Sequence, residues 1–274
     1  MQTATSRPPF LTRVKTWFWE HYPDLRPRVS GKPGWSGNGM VATLNGTGFM
    51  FERRDRFAEA FIAYAAEVRR PVLEVGCAYG VSTIPALERG AIVTASDLDP
   101  RHLEILKSKV RPDLLPNLTL KPGALPDIDF PGNHYAAILC SRVLHFLRGE
   151  DVDASIRNMA QWLAPGGRLY LVADCPYGIW RRAIPQFESG KANGERYPGL
   201  IVGLHNFLAT PPAKPIEQPP FMNLMDPDIL SRACREAGLE VIDAAFIPRP
   251  DFGGKGSMDG RENCGVIAVK PAAA

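Results

Sequence analysis

Between residues 55 and 172 the chain switches repeatedly between two spacings of apolar side chains. "DRFAEAFIAYAAEV" places Phe57, Phe61, Tyr64 or Ala65, and Val68 three or four residues apart, which puts them on one face of a helix. "PVLEV", from residue 71, is a short and almost wholly apolar run, the pattern of a buried strand. A turn with glycines at 76 and 80 follows, and "VSTIPALERG" predicts a helix ending at Gly90 with Pro85 near its first turn. "AIVTASD" predicts a second strand, after which Asp99 and Pro100 supply an N-cap acceptor and an N1 proline for the helix "RHLEILKSKV". "NLTLKPG" and "YAAILCS" predict a third and a fourth strand. The helix "VDASIRNMAQWL" and the turn Ala164-Pro165-Gly166-Gly167 then lead into a fifth, "GGRLYLVAD". "DPDILSRACREAG" predicts another capped helix, and "LEVIDAAFIP" with "CGVIAVKP" an antiparallel closing pair. Strands alternating with helices in this way predict an α/β fold, a doubly wound and mostly parallel seven-stranded sheet with an antiparallel C-terminal strand.

Two stretches break the rhythm. Leu11, Val14, Trp17 and Phe18 lie at helical spacing before Pro23, and the glycine-rich "SGKPGWSGNGMVATLNGTG" at 30–48 reads as an irregular or mobile connection. Residues 1–54 are therefore expected to form an N-terminal helical or lid segment, in which Trp35 either folds over a ligand or packs ordinarily. Residues 175–226, with "ATPPAKPIEQPP", are too long for a structureless connection and read as a cap inserted over the pocket of a domain spanning 55–270.

Composition narrows the partners. Thirty-two basic and 29 acidic residues leave a net charge of +3, and the Arg and Lys are scattered rather than gathered in a stripe, so no nucleic acid is expected. The cysteines at 77, 140, 175, 234 and 264 contain no C-x-x-C pair, which argues against a zinc site or disulfide framework and for a reducing, cytoplasmic setting. Arg13 and Lys15 interrupt the apolar N-terminal stretch, so no signal peptide is expected, and no apolar run approaches the ~20 residues a membrane span needs. No membrane partner and no metal are expected, and a homodimer is compatible with the sequence.

The turn after the first strand poses the chemical question. Gly76 and Gly80 let the backbone approach a ligand, with Ala78 between them, but Val81 stands where a dinucleotide fingerprint has its third glycine. Glu74 would repel phosphate and instead suits a positively charged group. Asp97 ends the second strand, where a carboxylate can accept from both hydroxyls of a ribose. A ligand with a ribose, an ammonium and a sulfonium satisfies both acids, as S-adenosyl-L-methionine does.

"LEVGCAYG", "VTASDLDP", "PGALPDIDFPGNHYAAILCSRVLHFL" and "LAPGGRLYLV" resemble, in order, the motifs of class I, Rossmann-like S-adenosylmethionine-dependent methyltransferases. The resemblance covers about 55–172 and, more loosely, 226–270. It implies cofactor contacts from Glu74, Gly76, Cys77, Ala78 and Gly80 around the methionine part, Asp97 on the ribose, Leu98 beside the adenine, Gly123 and Ala124 after the third strand, and Cys140 and Ser141 at the end of the fourth. Ala124 departs from the family, which commonly carries Asp there for the adenine amine; Asp127 or Asp129 is the candidate replacement.

His145, just past the fourth strand, and His205, in the insertion, are the candidate general bases, each weighed against a packing role. Trp180, Arg181 and Tyr197, with Arg182, are candidates for a substrate wall and anion clamp, against the alternative of an ordinary solvated face. His21, His102 and His134 read as surface residues. Methyl transfer asks mainly for in-line positioning and desolvation, so a missing base does not count against it. "CSRV" lacks the base-flipping signature of nucleic-acid methylating enzymes. A small-molecule acceptor, methylated at oxygen or nitrogen, is therefore expected. A protein or nucleic-acid methyltransferase, a non-catalytic cofactor-binding module and a nicotinamide oxidoreductase remain the alternatives.

Overall fold

The computed structural model describes residues 35, 36, 39–210, 219–252 and 256–272. Its main sheet uses strands β4 (Val72–Val75), β5 (Val93–Asp97), β6 (Leu118–Pro122), β7 (Tyr135–Ser141), β8 (Leu163–Asp174), β11 (Glu240–Ile247) and β12 (Asn263–Val269). They lie in the order β11-β12-β8-β7-β4-β5-β6. β4 pairs in parallel with both β5 and β7, β5 with β6 and β7 with β8, whereas β12 runs antiparallel to β8 and β11. The chain winds from β4 to one edge and then returns to β7 on the other side of β4. That reversal opens a crevice at the carboxyl ends of the central strands, where ligands of open α/β sheets bind.

Helices α1 (Arg56–Glu67), α2 (Thr83–Glu88) and α3 (Pro100–Lys109) cover one face of the sheet, and α4 (Gly149–Trp162) and α6 (Pro227–Glu236) cover the other. Successive side chains of a strand point to opposite faces, so Val72, Ala137 and Leu139 join the first core while Leu73, Ile138 and Cys140 join the second. Burial on both sides explains why these strands read as continuous apolar runs. Asp55, Asp99 and Asp226 cap α1, α3 and α6 with side-chain oxygens, and Pro100 and Pro227 open the latter two helices.

The two irregular stretches are more ordered than their composition implies. Within the glycine-rich segment, β1 (Trp35–Ser36), β2 (Met40–Ala42) and β3 (Phe49–Phe51) form a three-stranded antiparallel sheet, with β2 and β3 joined as a hairpin. Strands this short leave no readable period, but the hairpin turn is well bonded: Thr43 Oγ1 donates to the Gly48 carbonyl at 2.9 Å. The 175–226 segment carries α5 (Ile184–Ala192) and the antiparallel pair β9 (Leu200–Val202) and β10 (Phe221–Asn223). Trp180, Ile201, Leu204, Met222 and Leu224 give it a small core of its own. The helix expected near residues 11–22, and His21, lie outside the described residues. No helix of the described residues is long and apolar enough to cross a membrane.

Candidate functional site

The turn after β4 is held by its backbone. The Gly76 and Cys77 amides both donate to the Ser96 carbonyl of β5, at 2.8 and 3.0 Å. Gly76 has φ +75°, and a Cβ added there would lie 2.2 Å from Cγ2 of Val143, so glycine is required both for its dihedral and for close packing on the segment after β7. Gly76→Ala is expected to destabilise the fold by about 1–3 kcal/mol and to narrow the crevice, measurable by urea denaturation and by ligand titration. Gly80, at φ +87°, serves a different approach: its missing Cβ makes room for Leu106 of α3 rather than for a ligand.

Asp97 is the hub. Its Oδ2 accepts from the Ala78 amide at 2.9 Å, and its Oδ1 from the Asp99 amide at 3.0 Å and from His102 Nδ1 at 2.9 Å. His102, expected at the surface, is buried: it occupies the inward face of α3 beside Leu103 and Leu106, with Asp97 and the hairpin around its ring nitrogens. His134 is at the surface. Glu74 is only 4% exposed, accepts from Thr83 Oγ1 and has its pKa pushed up to about 7, first by burial and, in the opposite direction, less strongly, by the Thr83 and Ser82 hydrogen bonds. A buried carboxylate with so high a proton affinity favours a cationic neighbour.

Both acids line one cavity of about 1250 Å³ at the crevice. Of the expected cofactor residues, Glu74, Gly76, Cys77, Ala78, Asp97, Leu98, Gly123, Ala124 and Ser141 line it together. Cys140 faces the core instead, where burial pushes its thiol up to about 12. Gly123 leaves its neighbour space, since a Cβ there would meet Ile128 Cδ1 at 2.6 Å. Asp127 and Asp129 are exposed and do not line the cavity; Ala124 and Leu125 do.

The expected catalytic and substrate residues do not line this cavity. His145 is buried with Nδ1 accepting from the Asp174 amide at 3.1 Å, and burial lowers its pKa, so it is a neutral link between the segment after β7 and the end of β8. His205 lies in a 3-10 turn after β9, outside the cavity lining. Trp180 fills the insertion's core and donates Nε1 to Asp174 Oδ2 at 3.3 Å. Arg181 donates Nε to the Gly178 carbonyl and Nη2 to that of Ser257. Tyr197 packs over Gly149 and donates its hydroxyl to Asp153 at 2.6 Å.

The second half of the cavity comes from residues that motif reading misses. The hairpin contributes Thr43, Asn45 and Phe49–Phe51; the segment after β7 contributes Arg142, Val143, Phe146 and Leu147; β9 and β10 contribute Val202 and Phe221. The Arg148 guanidinium stacks over Phe221 at 4.8 Å, and that of Arg142 lies 5.4 Å from the Phe51 ring. Arg142 adopts φ +59°, is bonded through Nη1 to Asp55 at 3.0 Å and donates Nη2 to Asn263 at 3.1 Å. Asp151, at the start of α4, also lines the cavity, and its pKa is raised by burial and by neighbouring Glu150. The place of His102 beside Leu103 was the available signal. Among the described residues no group of three His, Cys, Asp or Glu could hold a metal ion.

Comparison with known proteins bears on the domain and its fold. Residues 72–167 match the profile of a methyltransferase domain. The demethylmenaquinone methyltransferase of Tropheryma whipplei (strain Twist) is 36% identical over 121 residues, 42% of this chain and 45% of the relative. The cypemycin N-terminal methyltransferase of a Streptomyces species is 33% identical over 108 residues, 39% of this chain and 42% of that one. The chain thus spans less than half the length of these curated relatives. Among solved structures, an S-adenosylmethionine-dependent methyltransferase of Methanosarcina mazei superposes with a TM-score of 0.56 at 16% identity, covering 74% of this chain and 93% of the other. The glycopeptide N-methyltransferase MtfA bound to S-adenosylmethionine gives 0.52 at 20% identity, covering 78% and 86%. At these identities the superpositions speak for the fold. Residues 72–167 are similar to a methyltransferase domain, and the fold around them is the Rossmann-like fold of the S-adenosylmethionine-dependent methyltransferases on which it superposes.

Proposed function

We propose that the chain transfers the methyl group of S-adenosylmethionine to an oxygen or nitrogen of a small, largely apolar acceptor. One observation carries this reading: a single cavity is lined both by Glu74, Asp97 and the glycine turn and by the aromatic rings of Phe49, Phe51, Phe146 and Phe221. The residues present fit the cofactor. Gly76, Ala78 and Gly123 bring backbone without large side chains to the cavity wall, Asp97 offers acceptor oxygens for ribose hydroxyls, and Glu74 offers a carboxylate to a cation. Once bound, the cofactor supplies an electrophilic methyl on a sulfonium. The protein's task is then to orient the acceptor and exclude water, for which Phe51, Phe146, Leu147 and Phe221 provide apolar surface. Asp151, with its raised proton affinity, is the lining carboxylate suited to take a proton from the acceptor.

A peptide amine is the second reading. It is favoured by the exposure of two apolar lining residues at the cavity's rim, Phe49 at 51% and Val202 at 63%, which leaves room for a longer acceptor. The relative named for cypemycin is described as acting at an N-terminus, whereas the other is named for demethylmenaquinone. Methyl-labelled S-adenosylmethionine incubated with phenols, aromatic amines, short peptides and RNA separates the readings. Label on phenols or amines is the expected outcome, and label on peptides alone selects the second. Tight cofactor binding without transfer to any class would indicate a cofactor-binding module.

A further inference from the structure

The ring of His102 joins two parts of the cavity that are otherwise far apart in the chain. Nδ1 faces Asp97 Oδ1 at 2.9 Å, and Nε2 accepts from the Leu44 amide at 3.0 Å. A backbone N–H can only donate, so Nε2 must carry the lone pair and Nδ1 the proton; the contacts select one neutral tautomer. Two further side chains hold the same hairpin tip. Arg101 Nη2 donates to the Leu44 carbonyl at 3.2 Å, and the Tyr79 hydroxyl to the Ala42 carbonyl at 2.9 Å, with the Tyr79 ring edge-on to His102 at 5.1 Å. Beyond this tip the hairpin lines the cavity with Thr43, Asn45 and Phe49–Phe51.

We infer that His102 is a positioning residue that couples Asp97 to the β2–β3 hairpin, so that retention of the cofactor depends on the hairpin being docked. This rests on the reading that Asp97 holds the cofactor's ribose. Asp97 orients its carboxylate through three donors: the Ala78 amide of the turn after β4, the Asp99 amide of its own strand end, and His102, which alone leads on to the hairpin. An imidazole 1% exposed, bonded at both nitrogens, transmits displacement of either partner to the other. Undocking the hairpin frees the ring to tilt and lets Asp97 turn from the ribose position. It also removes part of the wall that keeps the acceptor dry.

Two substitutions separate the two bonds. His102→Asn places an amide nitrogen where Nδ1 was, keeping the donor to Asp97 and losing the acceptor for Leu44. His102→Gln places its amide near Nε2, keeping a partner for Leu44 and losing the donor to Asp97. Coupling predicts that each variant weakens binding of S-adenosylhomocysteine about tenfold by calorimetry, the equivalent of one to two lost hydrogen bonds. It also predicts that the ligand's protection of the Leu44 amide against hydrogen exchange, present in the wild type, disappears in both. Tyr79→Phe removes a tie from the opposite side of the hairpin tip and should diminish that protection even where the His102 variants fold poorly. Wild-type affinity in either His102 variant, or undiminished ligand-induced protection of Leu44, overturns the coupling. Should the wild type fail to bind S-adenosylhomocysteine, the cofactor reading falls, and unchanged Leu44 exchange in ligand-free His102→Asn then refutes the clasp by itself.

Discussion

Asp97→Ala is expected to weaken S-adenosylhomocysteine binding at least about a hundredfold and to remove roughly 2–4 kcal/mol of stability. The carboxylate is 6% exposed and accepts from the Ala78 amide, the Asp99 amide and His102. Truncation leaves three buried donors without a partner, and each such loss costs about 1–3 kcal/mol before local relaxation. The ligand loses its ribose acceptor at the same time, and the Ala78 end of the glycine turn loses the anchor that holds a non-glycine residue at φ +44°. Asp97→Asn keeps one oxygen but turns an NH₂ toward existing N–H donors, so it should fall between wild type and alanine. Calorimetric titration and urea denaturation measure the two effects separately. Unaltered affinity in Asp97→Ala removes the basis for placing a nucleoside at this end of the cavity.

Glu74 yields the second large effect, in the opposite direction for stability. Burial lifts its pKa from 4.5 to about 7, so between those values the folded protein retains a proton that the unfolded chain releases. Stability contributed by the protonated carboxyl is complete below about pH 4.5 and declines as pH rises toward 7, by roughly 3 kcal/mol in total. Glu74→Gln has no charge to bury. It should be more stable than the wild type at pH 8 by up to that amount and nearly equal to it at pH 4.5, compared by urea denaturation at the two pH values. Binding should move the other way. A cationic ligand group beside Glu74 stabilises the carboxylate and expels its proton near pH 6–7, so calorimetry in buffers of different ionisation enthalpy should detect proton release in the wild type and none in Glu74→Gln. Equal stability of the two proteins at pH 8, or binding without proton release, would show that Glu74 is not the buried acid that meets the ligand's positive charge.

The central sheet was legible because its strands are buried on both faces and its helices carry aspartate caps before proline; both features are local and survive as pattern. For the same reason the part of the cavity wall formed by Glu74, Gly76 and Asp97 was readable, since glycine and carboxylate positions at strand tips follow from strand periodicity. The rest of the wall was not. Its residues come from a hairpin of three-residue strands, the segment after β7 and β10, brought together only by tertiary packing. His102 was misread because a polar residue on a helix was taken for an exposed one, although its neighbours Leu103 and Leu106 mark the inward face. His145, Trp180 and Tyr197 illustrate the converse. Chemically versatile side chains in the right stretch of sequence were drawn into hydrogen bonds with Asp174 and Asp153 that fix backbone and helix positions.

The network around Arg142 bears on how the protein is made. Asp55, capping α1, and Asn263, in β12, both bind that guanidinium, and Arg249 Nη1 donates to the same Asn263 oxygen at 2.9 Å. More than two hundred residues of chain separate Asp55 from Asn263. A polypeptide emerging from the ribosome can therefore pair the early strands while this part of the crevice floor still lacks its last acceptor.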